Sequence, residues 1–141
     1  MADTGLELYR QQLVAEVEVL RGTFTAHPLS VEYDNRDNIN MLIQRDPFLC
    51  VEVMYIGGQQ ADLSNKPVHR IIGMLVLTAK NREGAGSSGG YKLLEHFYPN
   101  LQHRAIGNVR LEMAEFSKPR LVGGWWAVSA MLPFYINRFP T

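Results

Sequence analysis

Gly123-Gly124-Trp125-Trp126-Ala127-Val128-Ser129-Ala130-Met131-Leu132-Pro133-Phe134-Tyr135-Ile136 is the stretch that decides the fold. Trp126, Val128, Ala130, Leu132 and Phe134 recur at period two, and Trp125, Ala127, Ser129 and Met131 fill the positions between them, so a strand here is apolar on both sides. A half-buried strand places polar residues at every second position, whereas this one offers a single Ser. It belongs in the middle of a sheet whose outer face is covered as well, by helices or by another subunit.

Working outward, residues 68–80 contain Ile71-Ile72-Gly73-Met74-Leu75-Val76-Leu77, and Pro47 opens Phe48-Leu49-Cys50-Val51-Glu52-Val53-Met54-Tyr55. Both are rich in strand formers and read as adjacent antiparallel strands. The connection between them, 56–67, is longer than an ordinary hairpin loop and is expected to project from the body. Upstream, Leu29, Val31 and Tyr33 alternate with Ser30, Glu32 and Asp34, a short edge strand with a wet face. Residues 34–46, rich in Asn, Asp and Arg around Ile39, Met41, Leu42 and Ile43, read as an irregular connection with room for one helical turn.

Thr4-Gly5-Leu6-Glu7 has the form of a capping box, and Leu6, Tyr9, Leu13, Val17, Leu20 and Phe24 recur at steps that make one buried helical stripe, which Gly22 ends. Residues 81–90 are flexible by composition, but Ser87 or Ser88 can cap a second helix through Tyr91, Leu94, Phe97 and Tyr98, closed by Pro99. Val109, Leu111 and Met113 then alternate with Arg110, Glu112 and Ala114, and Lys118-Pro119-Arg120 with Gly123-Gly124 turns the chain into its last strand. The expected fold is α+β: a mixed or antiparallel sheet of about five strands with two helices packed on one face, in the order α-β-β-β-α-β-β.

At 141 residues the chain reads as one domain over 1–141, large enough for a core without staples. Fourteen basic and fourteen acidic side chains cancel, so no global field draws in phosphate backbone or anionic lipid. The lone Cys50 forms no internal disulfide, Met1-Ala2-Asp3-Thr4 lacks the regions of a signal peptide, and no run reaches membrane-spanning length, which points to a reducing cytoplasm.

No residue pattern carries chemistry. Cys50 sits among apolar neighbours and reads as a small core hydrophobe. His27, His69, His96 and His103 show no paired ligand spacing, so neither a metal nor another cofactor is expected. The glycine-rich run over 84–90 lacks the GK[ST] ending of a phosphate loop and reads as a tether. Asp34 with Asp37 and Glu112 with Glu115 lie in ordinary polar segments. No catalytic residue is expected, and the chain does not read as an enzyme.

What stands out is apolar surface in excess of what two helices can hide. With Leu49, Val51, Val53, Met74 and Val76 toward the helices, Phe48, Met54, Ile71, Leu75, Leu77, Trp125 and Met131 point the other way. Two explanations stand: cover from 34–46 and the loops, or a subunit interface, where aromatic and Met side chains are enriched. The second is preferred.

Gly124-Trp125-Trp126-Ala127-Val128 running to Leu132-Pro133-Phe134-Tyr135 resembles the final strand of the tail terminator proteins of long-tailed bacteriophages, small minor tail proteins that work by shape. The similarity extends to an N-terminal helix, the Pro47 to Val51 strand, the His69-Arg70 lead into the strand containing Gly73, a glycine-rich approach to the second helix and the final pair of strands. It implies a mixed sheet flanked by helices, copies of the chain joined as a homohexameric ring, and a place in the virion at the head-proximal end of the tail after assembly in the host cytoplasm. Such a ring caps the tube of tail-tube protein, stops its polymerisation and presents the joining surface to the head-completion or neck protein. Genome DNA passes through its hole without sequence-specific binding, and no membrane is involved. On this reading Gln59, Gln60, Asp62, Asn65 and Lys66 meet the tube or the next ring subunit, Arg82, Ser87 and Ser88 face the lumen or another ring contact, and Trp125 and Met131 lie at the subunit interface. Rival readings are another head-tail connector, the tail-tube protein itself and a small-molecule-binding module.

Overall fold

The computed structural model of the chain describes residues 5–34, 44, 46–60, 69–82 and 88–138. In chain order its elements are α1 (Gly5–Gly22), β1 (Val31–Tyr33), β2 (Phe48–Gln60), β3 (His69–Arg82), α2 (Ser88–Phe97), a 3-10 turn (Tyr98–Asn100), β4 (Ala105–Ile106), β5 (Val109–Leu111), β6 (Glu115–Phe116), β7 (Arg120–Val122) and β8 (Trp125–Arg138). They build a mixed α+β fold with one large sheet. Its path runs β1-β2-β3-β8-β5-β4, with β6 and β7 also paired to β8, and β1 is its parallel member, alongside β2.

The last strand is central, as its two apolar faces demand. β3 pairs with it over its whole length, from His69↔Arg138 to Arg82↔Trp125, and β5, β6 and β7 share its other edge. Val128, Ala130, Leu132, Phe134 and Ile136 face the helices and join Leu49 and Val51 of β2, Leu75, Leu77 and Ala79 of β3, Tyr9, Leu13 and Val17 of α1, and Leu93, Leu94 and Phe97 of α2 in one core. Both helices therefore cover the same face of the sheet. In α1 the buried stripe begins at Gly5 and Tyr9, and Leu6, expected within it, is 45% exposed. The capping residue Thr4 lies outside the described residues. In α2 the buried flank is Gly90, Leu93, Leu94 and Phe97, and Tyr91, expected inside, is 42% exposed.

Among the described residues the sheet has eight strands, more than the five expected, because the region around the single strand anticipated at Val109 forms several short ones. Gly107, at φ 60°, opens the turn that pairs Ile106 with Val109. Pro133 accounts for the next break. Its carbonyl accepts the Glu112 N–H at 2.8 Å, so the N–H it lacks would have faced the same side, into the gap between β5 and β6. At the last turn the expectation holds: Gly123 and Gly124, at φ 57° and 84°, form a two-residue hairpin between Val122 and Trp125.

β3 sits one residue away from the expected facing. Leu75 and Leu77 are fully buried in the helix-side core with Ile71 packed against it, while Met74 and Val76 point to the opposite face. A segment apolar at every position gives no alternation from which to choose a face, and a one-residue slip exchanges them all. β2 was placed correctly: Leu49, Val51 and Val53 contribute to the core, and Phe48 and Met54 turn away.

Candidate functional site

The face of the sheet away from the helices is built by alternate residues of β2, β3 and β8, and its register can be followed in rows. Phe48, Lys80 and Ala127 form one row, then Cys50, Thr78 and Ser129, then Glu52, Val76 and Met131, then Met54, Met74 and Pro133. A β-bulge at Ile56 shifts the next row to Gly57, Ile72 and Tyr135. The rows change character along the strands. Thr78 and Ser129 hydrogen-bond through their hydroxyls at 2.8 Å, Val76, Met131, Met54, Met74 and Pro133 make an apolar band with Glu52 at its β2 edge, and beyond it Arg70 lies 4.4 Å over the Tyr135 ring and donates to Asn137 Oδ1 at 3.0 Å. Met54 is 44% exposed and Met131 is half-buried. An apolar band rimmed by polar groups has the make-up of a contact surface.

One end of this face is closed within the subunit. Phe48 is fully buried, and Trp125, 5% exposed, meets it edge-on with ring centroids 5.1 Å apart. The Arg82 guanidinium covers the Trp125 ring at 4.6 Å and is itself fixed by two donations to the Gln44 carbonyl, at 3.1 and 3.0 Å. Trp125, expected to face a neighbour, is thus a packing residue of its own chain. Met131 remains on the open band.

The remaining interface candidates fall at the ends of strands. β2 runs through Gln60 and β3 starts at His69, so Gln59 and Gln60 extend the sheet where a loop was expected. Asp62, Asn65, Lys66 and Ser87 lie outside the described residues. Ser88 begins α2 and is exposed. Of the glycines before the helix, Gly90 has a packing reason: a Cβ there would stand 2.9 Å from Asn81 Oδ1 and 3.3 Å from Val128 Cγ1, so glycine lets α2 lie close on the sheet.

Groups with chemical potential are occupied structurally. Cys50 lies on the open face in a cleft of about 180 Å³ with Glu52, Thr78, Lys80 and Arg120, outside the core where it was expected. Burial pushes its thiol up to about 11 and a nearby Glu32 carboxylate adds to this, outweighing the opposite pull of Lys80. It is a poor nucleophile at neutral pH. His96 Nε2 donates to the Leu20 carbonyl at 2.8 Å, tying α2 to the end of α1, and His27 Nε2 donates to the Pro47 carbonyl at 2.9 Å. Asp34 pairs with Arg10 at 2.7 Å. The Arg10 and Gln11 side chains hold the exposed Glu7 carboxyl down to about 2 by hydrogen bonding. Among the described residues no cluster of three or more His, Cys, Asp or Glu could hold a metal ion, and no helix is long and apolar enough to cross a membrane.

Reading the sequence missed further exposed apolar residues on and beside β6 and β7, namely Met113, Phe116, Leu121 and Val122, at 61%, 51%, 48% and 47% exposed; Phe116 and Leu121, opposite Ala130 and Trp126, share the helix-side face of the sheet, whereas Val122, opposite Trp125, lies on the other. The strands there are too short for their alternation to register. The available signal was composition: four large apolar side chains within ten residues otherwise rich in charge and turn formers.

No family model and no curated protein matches the chain. A solved structure superposes over 99% of this chain and 100% of its own length, with a TM-score of 0.71 and 13% sequence identity. At that identity the likeness is one of fold.

Proposed function

We propose that this chain is a ring-forming structural protein of the tail-terminator kind that its last strand resembles, capping a phage tail tube at the head-proximal end, halting tube growth and offering the joining surface to the neck. The observation that carries this reading is a pair of unlike apolar patches at opposite sides of one sheet. The first holds Met54 and Ile56 of β2, 44% and 62% exposed, continuous with Met74 and Met131 on the open face. The second is Phe116 and Leu121, 51% and 48% exposed, which share the helix-side face at β6 and β7, and β3 and β8 lie between the two.

A surface that pairs with itself needs one patch. Two different patches suit a head-to-tail contact, in which every copy offers one and receives the other, and such a contact closes into a ring when the rotation between copies allows it. Among the described residues the edge of β2 beyond Val51 pairs with no strand, and an unpaired edge beside the exposed Met54 and Ile56 is the kind of surface a neighbouring copy adds to. The balance of acidic and basic residues fits a lumen that lets DNA pass without retaining it. The partners on this reading are further copies of the chain, the tail-tube protein and the head-completion protein.

Native mass measurement and electron microscopy of the purified chain, alone and with preformed tail tubes, test it. Single-layer rings with a central hole that add to one tube end and stop its growth are expected. A chain that stays monomeric at high concentration and leaves tube growth unchanged overturns the reading, and open-ended polymerisation reassigns the chain as tube protein.

A further inference from the structure

Tyr91, Leu94, Glu95 and Tyr98 recur along α2 and the turn that follows at the spacing that places them on one flank of the helix. Leu94 is 1% exposed and forms the floor, while Tyr91 is 42% exposed. β6 brings Phe116 alongside, 51% exposed, and its ring meets that of Tyr98 edge-on at 4.9 Å and 84°. These five side chains line an open cleft of about 190 Å³. Its walls are three aromatic rings and one carboxylate, and Glu95 has no hydrogen-bond or ion-pair partner among the described residues.

That combination selects its occupant by charge. An apolar side chain entering the cleft would strip water from Glu95 and give it nothing in return. A cation gains from the ring faces through their quadrupoles and from the carboxylate through its charge, and an alkyl stem behind the cation can lie along the exposed Tyr91 and Phe116 rings. We infer that the cleft is a binding site for a cationic side chain, Lys or Arg, presented by a partner protein. It shares Phe116 with the second apolar patch but does not depend on ring formation, and small probes can test it on the chain by itself.

The test is a titration of the isotopically labelled chain, followed by amide NMR shifts, with N-acetyl-lysine methylamide and N-acetyl-arginine methylamide. The neutral N-acetyl-norleucine methylamide serves as the uncharged match of the lysine stem, and tetramethylammonium as a cation without a stem. Saturable shifts confined to residues 91–98 and 115–117 are expected with both cationic amides, about threefold to fivefold tighter than with norleucine. Phe116→Ala and Glu95→Gln should each weaken them by a similar factor, and the exposure of both side chains leaves folding intact, as dispersed spectra would verify. Norleucine binding as tightly as lysine, or no saturable shift with any probe, overturns the site. Tetramethylammonium binding more tightly than either amide would make it a site for a free organic cation and overturn the assignment to a partner's side chain.

Discussion

Trp125 is apolar, large and at the start of the central strand, which made it an interface candidate in sequence; in space it is held by Phe48 on one side and Arg82 on the other. Its truncation should therefore be felt within one chain. Trp125→Ala is expected to cost about 3–5 kcal/mol in urea unfolding, the usual penalty for emptying a buried aromatic site. Unchanged stability with weakened self-association would instead put its ring against a neighbour. Cys50 makes a second residue-scale prediction, in which the pH sense matters. Its thiol is raised from the ordinary 9.0 to about 11, so the folded state disfavours the thiolate, and stability falls as pH climbs from the first value through the second. Over the same interval the thiol becomes reactive. With a small disulfide reagent at pH 8, the folded chain should react roughly tenfold more slowly than the denatured chain, since the scarcer thiolate is partly offset by its greater nucleophilicity. Between pH 9 and pH 10 the rate should climb roughly ninefold, and a rise of less than about twofold, as for a thiol at the ordinary value, would contradict the placement.

At the scale of elements, β3 depends on a glycine to carry an aromatic ring. A Cβ on Gly73 would stand 2.4 Å from the Phe134 ring and 2.5 Å from the Met54 carbonyl, one a core side chain and the other backbone of the paired strand. Neither can yield cheaply. Gly73→Ala is expected to lower stability by about 1–3 kcal/mol as an overpacked site, measured by denaturant titration. A neutral or stabilising result would mean that β2 and β3 are not in the register that sets Tyr55 opposite Gly73. The elements most easily read in sequence were those whose pattern is repeated or punctuated: α1 from its stripe and Gly22, β8 from its two apolar faces, and the hairpin before it from Gly123-Gly124. Those that resisted had a physical reason to. β3 is apolar at nearly every position, so its facing is decided by Phe134 filling the space over Gly73 and not by alternation. β4 to β7 hold two or three residues each, and Pro133 on the neighbouring strand fixes where their ladder breaks.

At the scale of the whole molecule, the helix-free sheet face was legible as an excess of apolar residues, but which residues form it depended on the β3 facing, and the second patch depended on strands too short to recognise. Two patches make a sharper claim than one, because they predict how defective copies combine. Ile56→Asp removes the β2-side patch and keeps the other, while Leu121→Asp does the reverse; both side chains are exposed, at 62% and 48%, so each variant should keep its stability within about 0.5 kcal/mol. In a head-to-tail contact neither variant can associate with itself, since each lacks one of the two surfaces that must meet. Mixed together, the intact β7-side patch of Ile56→Asp can receive the intact β2-side patch of Leu121→Asp, once, and no further copy can join either end. Sedimentation should therefore show monomers in each separate sample and a one-to-one dimer in the mixture. If the contact instead joined like to like, one variant would associate unmixed and mixing would add nothing, and the proposed route to a ring would be lost.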